Sequence, residues 1–370
     1  MSRLGLFARG VRVLDLSAFL PGPFASLLLA DMGAEVLKIE PPAGDAMLQL
    51  GPRDAQGEPV FHAAVNAGKT VQRMNLKDPA VRDEFLRLVE KFDVLIEGFR
   101  PGVMKRLGLD YEPLRAVNPR LIMCSLSGYG AAGSKAQEAG HDANYLANSG
   151  MMHRNGGTYY DPPVADLSGS LFSVIAILGA LRARDADGQG CFIDIGLGDT
   201  PMALQLFPIA DYGATGAVAG PGETYLNGGA AYYQVYTNRD GQQVALGAIE
   251  PKFWAAFCHA AEKNDWVTRQ DDRLPQTTLI AEVAGLLGTL TTAECLARFA
   301  PADCCFSQVL DLGAALDSAH HRGRALVRTA GSGALQALFP AHVDGAPPAT
   351  RPAPRRADDH LLTKIHEGTQ

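Results

Sequence analysis

Short apolar strands alternate with helices along the first 130 residues, and this alternation limits the fold more than any other feature of the chain. Residues 11–16 and 35–40 are rich in branched apolar side chains and predict strands. Between them, Pro21-Gly22-Pro23 opens a helical segment that Gly33 ends. A strand–helix–strand unit of this length favours parallel strands joined by a crossover helix.

The same pattern continues after this unit. Residues 71–76, 93–97 and 121–127 predict further strands, and Asp78 is a good N-cap for a helix that runs to residue 91. The first 130 residues therefore predict an open α/β sheet.

The middle of the chain changes in character. Residues 166–183 predict a long buried helix, and a helical segment is expected over 200–212. Residues 213–229 are rich in Gly, Ala and Pro and predict a linker. A second unit is expected from about residue 230, beginning with a hairpin over 234–246 whose turn is Asp240-Gly241. Residues 345–354 are rich in Pro and Ala and predict an extended segment, with a short final helix over 358–367.

Charge and cysteine content exclude several classes of protein. The 33 Lys and Arg against 40 Asp and Glu give a net charge of −7, which argues against a general nucleic-acid binder. The 6 cysteines form no Cys-x-x-Cys pair and have no histidines at zinc-ligand spacing, so reduced thiols and no metal site are expected. No signal peptide and no apolar run of about 18 residues is seen, so we predict a cytoplasmic protein without a membrane partner.

Two phosphate-binding patterns are present only in part. Gly128 to Gly133 matches G-x-G-x-x-G, but the residues that follow lack the apolar helix face of a dinucleotide site. Gly68-Lys69-Thr70 ends like a phosphate-binding loop, yet Ala63 stands where its first glycine belongs. Lys69 remains either a phosphate ligand or a solvated surface lysine.

Three segments combine proton-transfer groups with backbone turns. They contain His141, Asp166 and Glu250. Asp166 precedes an apolar helix, so it is either an N-cap or a carboxyl group beside free backbone N–H groups. His141 can equally be a structural histidine, and Glu250, before a proline, a solvated turn residue.

These segments resemble the class III CoA-transferase superfamily, the CaiB/BaiF type, and within it the α-methylacyl-CoA racemases. The resemblance rests on Gly140-His141-Asp142-Ala143-Asn144-Tyr145 and on Gly247-Ala248-Ile249-Glu250-Pro251. Superfamily motifs in the N-terminal part accompany them: Asp15-Leu16-Ser17, Pro21-Gly22-Pro23, Ala30 to Ala34 and Glu97 to Val103.

The resemblance implies an α/β fold in which a Rossmann-like large domain contains an inserted smaller α/β domain. The large domain would comprise residues 1–212 and 335–370. Between these two parts, the chain would form the linker 213–229 and a small domain over 230–334. It also implies a homodimer of two interlocked chains.

The resemblance further implies roles for the three proton-transfer groups. His141 and Asp166 would be opposing bases in racemisation through an enolate, and Glu250 would orient His141, from the same chain or from its partner. The backbone N–H of Asp166 would bind the thioester oxygen. Asp166 must hold a proton for part of the cycle, which predicts apolar surroundings.

Contacts to the acyl-CoA are also implied by the resemblance. Candidates for the CoA phosphates are Lys38, Lys69 and Arg100, candidates for the pantetheine are Asp142 and Tyr145, and candidates for the acyl chain are Met151, Met152 and Met202. Met202 can equally be a core residue. CoA is part of the substrate, so no separate cofactor is expected.

Two other functions stay open at this level. One is a CoA-transferase in which Asp166 is the acyl-accepting nucleophile, and the other is an inert CoA-binding paralogue. Branched fatty acyl, bile-acid-like and arylpropionyl groups all remain possible acyl chains.

Overall fold

The computed structural model describes residues 2–357, in which the chain forms two compact units. The first unit contains the chain up to Ser149, Tyr160–Gln205 and the chain from Ala319 onward. The second contains Gly150–Tyr159 and Leu206–Ser318. The domain limits suggested by the family resemblance stay a prediction, and the predicted helix over 358–367 lies outside the described residues.

Strands of the described residues are β1 Arg12–Asp15, β2 Glu35–Glu40, β3 Thr70–Arg73, β4 Val94–Glu97, β5 Ile122–Ser127, β6 Phe192–Gly196, β7 Tyr233–Thr237, β8 Gln243–Gly247, β9 Phe306–Gln308, β10 Val327–Thr329, β11 Leu335–Ala337 and β12 Arg355–Arg356. In the first unit the sheet order is β12-β3-β2-β1-β4-β5-β6, and all neighbouring strands are parallel. The predicted α/β sheet is therefore confirmed.

Helices of the described residues are α1 Pro21–Asp31, α2 Val60–Asn66, α3 Pro79–Val89, α4 Val103–Leu107, α5 Tyr111–Val117, α6 Asp142–Asn148, α7 Met151–Arg154, α8 Val164–Asp187, α9 Thr200–Leu204, α10 Leu206–Thr215, α11 Pro251–Ala260, α12 Thr277–Leu287, α13 Thr292–Phe299, α14 Leu312–Asp317 and α15 Ala319–Arg324. Helices cover both faces of the sheet in the first unit.

Burial on both faces follows from the alternation of side chains along each strand. Val13 of β1 belongs to a core shared with α1 and α8, and the next residue, Leu14, belongs to a second core shared with α3 and α5. Both side chains are fully buried. This double burial explains why the strands are continuous apolar runs that could be recognised in the sequence.

The strand β1 lies at the point where the order of the sheet reverses. Its neighbours are β2 on one side and β4 on the other. In open parallel sheets, ligands bind at the carboxyl ends of the strands beside such a switch point. Residues that follow β1 and β4 are therefore placed where a substrate would bind.

A buried charge cluster lies at the carboxyl end of β1. Asp15 is fully buried between two fully buried lysines, with Oδ1 at 3.6 Å from Lys38 Nζ and Oδ2 at 3.3 Å from Lys69 Nζ. The hydroxyls of Ser17 and Ser26 also donate to this carboxylate. Burial alone would raise the pKa of Asp15, but the two ammonium groups and the hydroxyls outweigh it and hold that pKa well below its usual range.

The lysines of this cluster are bonded to other parts of the chain as well. Lys69 Nζ donates to the carbonyl of Pro23 at 2.8 Å and to Asn66 Oδ1 at 3.0 Å. Lys38 Nζ lies 3.5 Å from Asp45 Oδ2. One carboxylate therefore connects β1, β2, the start of α1 and the turn before β3.

The proline-rich segment predicted to be extended returns the chain to the sheet. Its Arg351 makes a two-pronged ion pair with Asp31 at the end of α1, with N···O distances of 2.6 and 2.7 Å. A few residues later, β12 pairs with the edge strand β3. The sequence showed no strand at β12.

The hairpin that the sequence predicts lies in the second unit. β7 and β8 are antiparallel, and Gly241 adopts a positive φ of 74° in the turn. β9 pairs with β8 on its other side. The core of this unit contains stacked aromatic rings, with centroids of Trp254 and Phe257 5.6 Å apart and those of Phe257 and Phe299 4.9 Å apart.

Two helix predictions are wrong in detail. The helix expected over 200–212 is broken into α9 and α10 at Gln205, because Pro208 has no N–H to donate to the carbonyl of Leu204 and its ring would clash there. Asp166 is not the N-cap of α8. The cap position is Pro163, so that Asp166 lies in the first helical turn.

By length and composition alone, α8 is apolar enough to cross a membrane, although no apolar run of this length was predicted from the sequence. The bent pair formed by α12 and Thr292–Ala302 passes the same test if it is counted as one span. Core helices also pass this test, and α8 contributes Val174, Ile177 and Leu181 to the buried core of the first unit.

Removal of the central charge of the buried cluster should destabilise the fold. We expect Asp15→Asn to lower the free energy of unfolding by about 3–5 kcal/mol, because it leaves the buried ammonium group of Lys69 without a carboxylate and that of Lys38 with Asp45 alone. The measurement is urea unfolding followed by circular dichroism. The control is Asp83→Asn, which changes an exposed aspartate on α3 and should alter stability by less than about 0.5 kcal/mol. Equal midpoints for the two variants would contradict this role of Asp15.

Candidate active site

His141 lies at the entrance of α6, with its side chain exposed. The turn is closed by two hydrogen bonds with Asn144, one from the His141 N–H to Asn144 Oδ1 at 3.0 Å and one from the Asn144 N–H to the His141 carbonyl at 2.8 Å. The Asn of the Gly-His-Asp-x-Asn-Tyr sequence thus fixes the backbone that presents the imidazole.

Asp166 lies in the first turn of α8 and is partly buried. The Ser170 hydroxyl, one turn further along α8, lies 2.9 Å from the Asp166 carbonyl and 2.7 Å from the carbonyl of Pro21. The start of α8 is thereby placed next to the start of α1, at the end of the sheet where β1 stops.

Asp142 connects these two helix starts. Its Oδ1 accepts hydrogen bonds from the backbone N–H groups of Ala165 at 2.7 Å and Asp166 at 3.1 Å. The first residue of α6 therefore caps α8, and His141 is its immediate neighbour in the chain. This contact could not be predicted from the sequence, because nothing in the local pattern shows which helix a first-turn aspartate will cap.

This contact corrects one expectation. The backbone N–H of Asp166, expected to bind a thioester oxygen, already donates to Asp142. An oxyanion at this site would have to find other donors.

The protonation of Asp166 is strongly perturbed. Burial, and after it the charge of Asp142, raises the pKa of Asp166 from 3.8 to about 7. Its carboxyl group can therefore hold or release a proton near neutral pH. The sequence-based expectation that the surroundings of Asp166 favour its protonated form agrees with this shift.

Tyr145 completes the inner wall of this site. Its ring is buried and packs edge-to-face on Tyr129, with centroids 5.1 Å apart. Its hydroxyl donates to the carbonyl of Gly140 at 2.7 Å. Burial first, and then the charge of Asp166, raises the pKa of Tyr145 to about 12, so that the phenol stays neutral.

These internal bonds change the expected CoA contacts. Tyr145 and Asp142 were candidates for the pantetheine, but the Tyr145 hydroxyl and one oxygen of Asp142 are bonded inside the protein. Lys38 and Lys69 were candidates for the phosphates, but both are fully buried and bonded to Asp15. The burial of the two lysines conflicts with direct phosphate contact.

Arg100 remains accessible as a phosphate ligand. It is exposed in the loop that follows β4, beside the switch point of the sheet. It also lines a cleft of about 280 Å³, whose walls include Glu97, Met104, Lys105, Tyr111 and Phe192. Lys105 is a second cation in this cleft that the sequence analysis did not select, although it lies only five residues after Arg100.

Glu250 belongs to the second unit. It is exposed and directly precedes α11, and its carbonyl accepts the N–H groups of Phe253 at 2.9 Å and Trp254 at 3.1 Å. The side chain is therefore presented to solvent at the start of a helix, as the Gly-Ala-Ile-Glu-Pro turn requires.

The methionines expected to contact the acyl chain are divided between the units. Met151 and Met152 lie on α7 in the second unit and are half-buried. Met202 lies on α9 in the first unit and is 44% exposed, which excludes a core position within the described chain. Among residues 2–357, no group of three or more His, Cys, Asp and Glu side chains could hold a metal ion.

The family described as CoA-transferase family III matches residues 9–360. Human alpha-methylacyl-CoA racemase is 33% identical over 323 residues, which cover 85% of this chain and 81% of that enzyme. Acetyl-CoA:oxalate CoA-transferase of Acetobacter aceti is 40% identical over 216 residues, but these cover only 56% of this chain and 55% of that enzyme.

A solved structure agrees with this assignment. A CAIB/BAIF family protein from Brucella suis superimposes with a TM-score of 0.84 and 25% sequence identity, over 97% of this chain and 98% of that one. Racemases and transferases are thus both relatives, and the match of the family along nearly the whole chain, together with this shared fold, shows that the chain belongs to CoA-transferase family III.

Proposed function

We propose that the chain is a racemase or epimerase that inverts the α-carbon of 2-methylacyl-CoA thioesters, with His141 and Asp166 as the two proton-transfer groups. The observation that supports it most is the environment of Asp166. Its pKa of about 7 suits a group that takes a proton in one direction and gives it in the other. A hydrogen-bonded link through Asp142 joins it to the turn that carries His141.

The reaction starts with removal of the proton next to the thioester carbonyl. In one direction neutral His141 takes this proton, and protonated Asp166 delivers another to the opposite face of the resulting enolate. In the reverse direction the carboxylate of Asp166 is the base and the imidazolium of His141 is the acid. No covalent bond to the enzyme is formed.

The enolate oxygen carries the negative charge that makes the intermediate unfavourable. Hydrogen-bond donors placed where this charge develops lower the barrier for such a step. They would have to be groups other than the Asp166 N–H, which donates to Asp142. Arg100 in the loop after β4 would bind a CoA phosphate, and Met151, Met152 and Met202 would contact the acyl chain.

The proposal also includes a role for Glu250 and an interlocked homodimer. Glu250 would orient the imidazole of His141 by accepting its second ring N–H. It would do so within one chain or across an interlocked homodimer. Both arrangements satisfy the requirement that a histidine base be held in one tautomer.

A CoA-transferase would use the same aspartate differently. There Asp166 would have to attack as a carboxylate, whereas racemisation needs it to take and to give a proton, which a pKa near 7 suits. The Gly-His-Asp-x-Asn-Tyr sequence favours the racemase over the transferase.

Exchange of the α-proton in heavy water tests the proposal directly. Incubation with a chiral 2-methylacyl-CoA should give deuterium at the α-carbon and loss of optical purity. We expect His141→Ala and Asp166→Asn each to lower the exchange rate by about 10²–10⁴-fold, because each removes one proton-transfer group. The readouts are mass spectrometry and chiral separation over a panel of branched fatty acyl, bile-acid-like and arylpropionyl thioesters.

Matched variants control for general damage. His153→Ala changes another exposed histidine, and Asp185→Asn changes an exposed aspartate on the same helix as Asp166, so both should exchange at the wild-type rate. Transfer of CoA to a free carboxylic acid without any exchange would instead identify a transferase. If neither exchange nor CoA transfer is detected with any thioester of the panel, the result would favour an inert CoA-binding protein.

The pH dependence gives an independent test. Either direction needs the pair of His141 and Asp166 to carry one proton between them, so kcat/KM should be bell-shaped in pH. Since the pKa of Asp166 is raised to about 7, one limb should lie near pH 7 and not near pH 4. The two substrates are epimers at the α-carbon and nearly equal in free energy, so their kcat/KM profiles should nearly coincide. A flat profile between about pH 5 and pH 9 would contradict the assignment of Asp166.

A further inference from the structure

We propose that Asp142 is a positioning residue of this site, which fixes the first turn of α8 against the turn that bears His141 and keeps a negative charge beside Asp166. The inference rests on the proposed racemase function. The expectation that Asp142 contacts the pantetheine stays a prediction, because the two N–H groups use only Oδ1.

The geometry of the contact supports this role. A single oxygen of Asp142 accepts two consecutive backbone N–H groups, from Ala165 and Asp166, at 2.7 and 3.1 Å. Hydrogen bonds to a charged acceptor are short and about twice as strong as those between neutral groups. Because His141 directly precedes Asp142, any movement of one helix start would displace both proton-transfer groups.

The contact also determines the electrostatic surroundings of Asp166. Two causes act on its carboxyl group, burial and the charge of Asp142, and both raise its pKa. Tyr145 also faces Asp166, and its phenol is neutral because its own pKa is raised to about 12. Arg100 acts on Tyr145, and His141 lies in the adjoining turn. Of these groups, Asp142 is therefore the one whose charge raises the pKa of Asp166, as burial also does.

Two substitutions separate the geometric role from the electrostatic one. Asp142→Asn keeps a carbonyl oxygen that can accept the two N–H groups but removes the charge. Asp142→Ala removes both. The matched control is Asp78→Asn, since Asp78 accepts the N–H of Ala80 at 2.9 Å at the start of α3 in the same manner, away from Asp166.

The first measurement does not depend on activity. Carbon-13 NMR of labelled aspartate carboxyls, assigned with Asp166→Asn, follows the titration of Asp166 in the full chain. In Asp142→Asn the loss of a neighbouring negative charge should move this titration to lower pH by on the order of one unit. In Asp78→Asn it should not move. An unmoved titration in Asp142→Asn would overturn the inference, whatever the activity.

The second measurement connects this shift to catalysis. The limb of kcat/KM near pH 7 should move to lower pH in Asp142→Asn by the same amount, while the urea midpoint stays close to that of the wild type. In Asp142→Ala, kcat should fall by about 10–100-fold at every pH, because the helix starts are no longer held together.

The outcomes keep the two proposals apart. Absence of α-proton exchange in the wild type would overturn the proposed function. If the wild type exchanges the α-proton but the limb of kcat/KM near pH 7 does not move in Asp142→Asn, only the role of Asp142 would be overturned. A purely structural role would lower the urea midpoint in both Asp142 variants and leave the limb unmoved, which would also overturn it.

Discussion

The architecture of the first unit depends on the ionised carboxylate of Asp15. A charge with no solvent exposure requires counter-charges, and here Lys38 and Lys69 supply them from β2 and from the turn before β3. Because Lys69 also donates to the carbonyl of Pro23, the start of α1 is held by the same group. The Pro21 carbonyl then meets Ser170 of α8, one turn beyond Asp166. The buried cluster and the candidate site are therefore joined by a short, continuous set of contacts.

Much of this unit could be predicted from the sequence, because the strands are buried on both faces and appear as uninterrupted apolar runs. The predicted bounds of β2 agree with the structure, those of β1 differ by one residue at each end, and those of β4 differ by one residue at the start. The resemblance to a family supplied the candidate roles of His141 and Asp166, which local pattern alone left open. Strands such as β12 could not be found, since two arginines become a strand only where β3 offers an unpaired edge.

The expected ligand contacts of Lys38, Lys69 and Asp142 share one difficulty. A sequence does not show which partner the polar group at the end of a flexible side chain will contact. Lys38 lies in a strand and Lys69 in a loop, and either ammonium could have faced a phosphate. In the structure both are drawn inward by Asp15, whose own burial has no signature beyond a position at the end of an apolar strand. Asp142 is the corresponding case at the site, where the carboxylate turns toward the neighbouring helix and not toward the expected ligand.

The proposed racemase and the alternative transferase would both use Asp166, but in different protonation states, so its environment bears on the choice between them. A nucleophilic carboxylate requires neighbours that stabilise its charge, whereas a proton carrier requires neighbours that make its two protonation states nearly equal at working pH. Around Asp166, burial and Asp142 both act against the charge. The cluster at Asp15 shows the opposite arrangement in the same unit, since two lysines and two hydroxyls keep a buried carboxylate charged. The fully buried Asp15, with cations beside it, and the partly buried Asp166, with a second carboxylate beside it, thus have pKa values shifted in opposite directions.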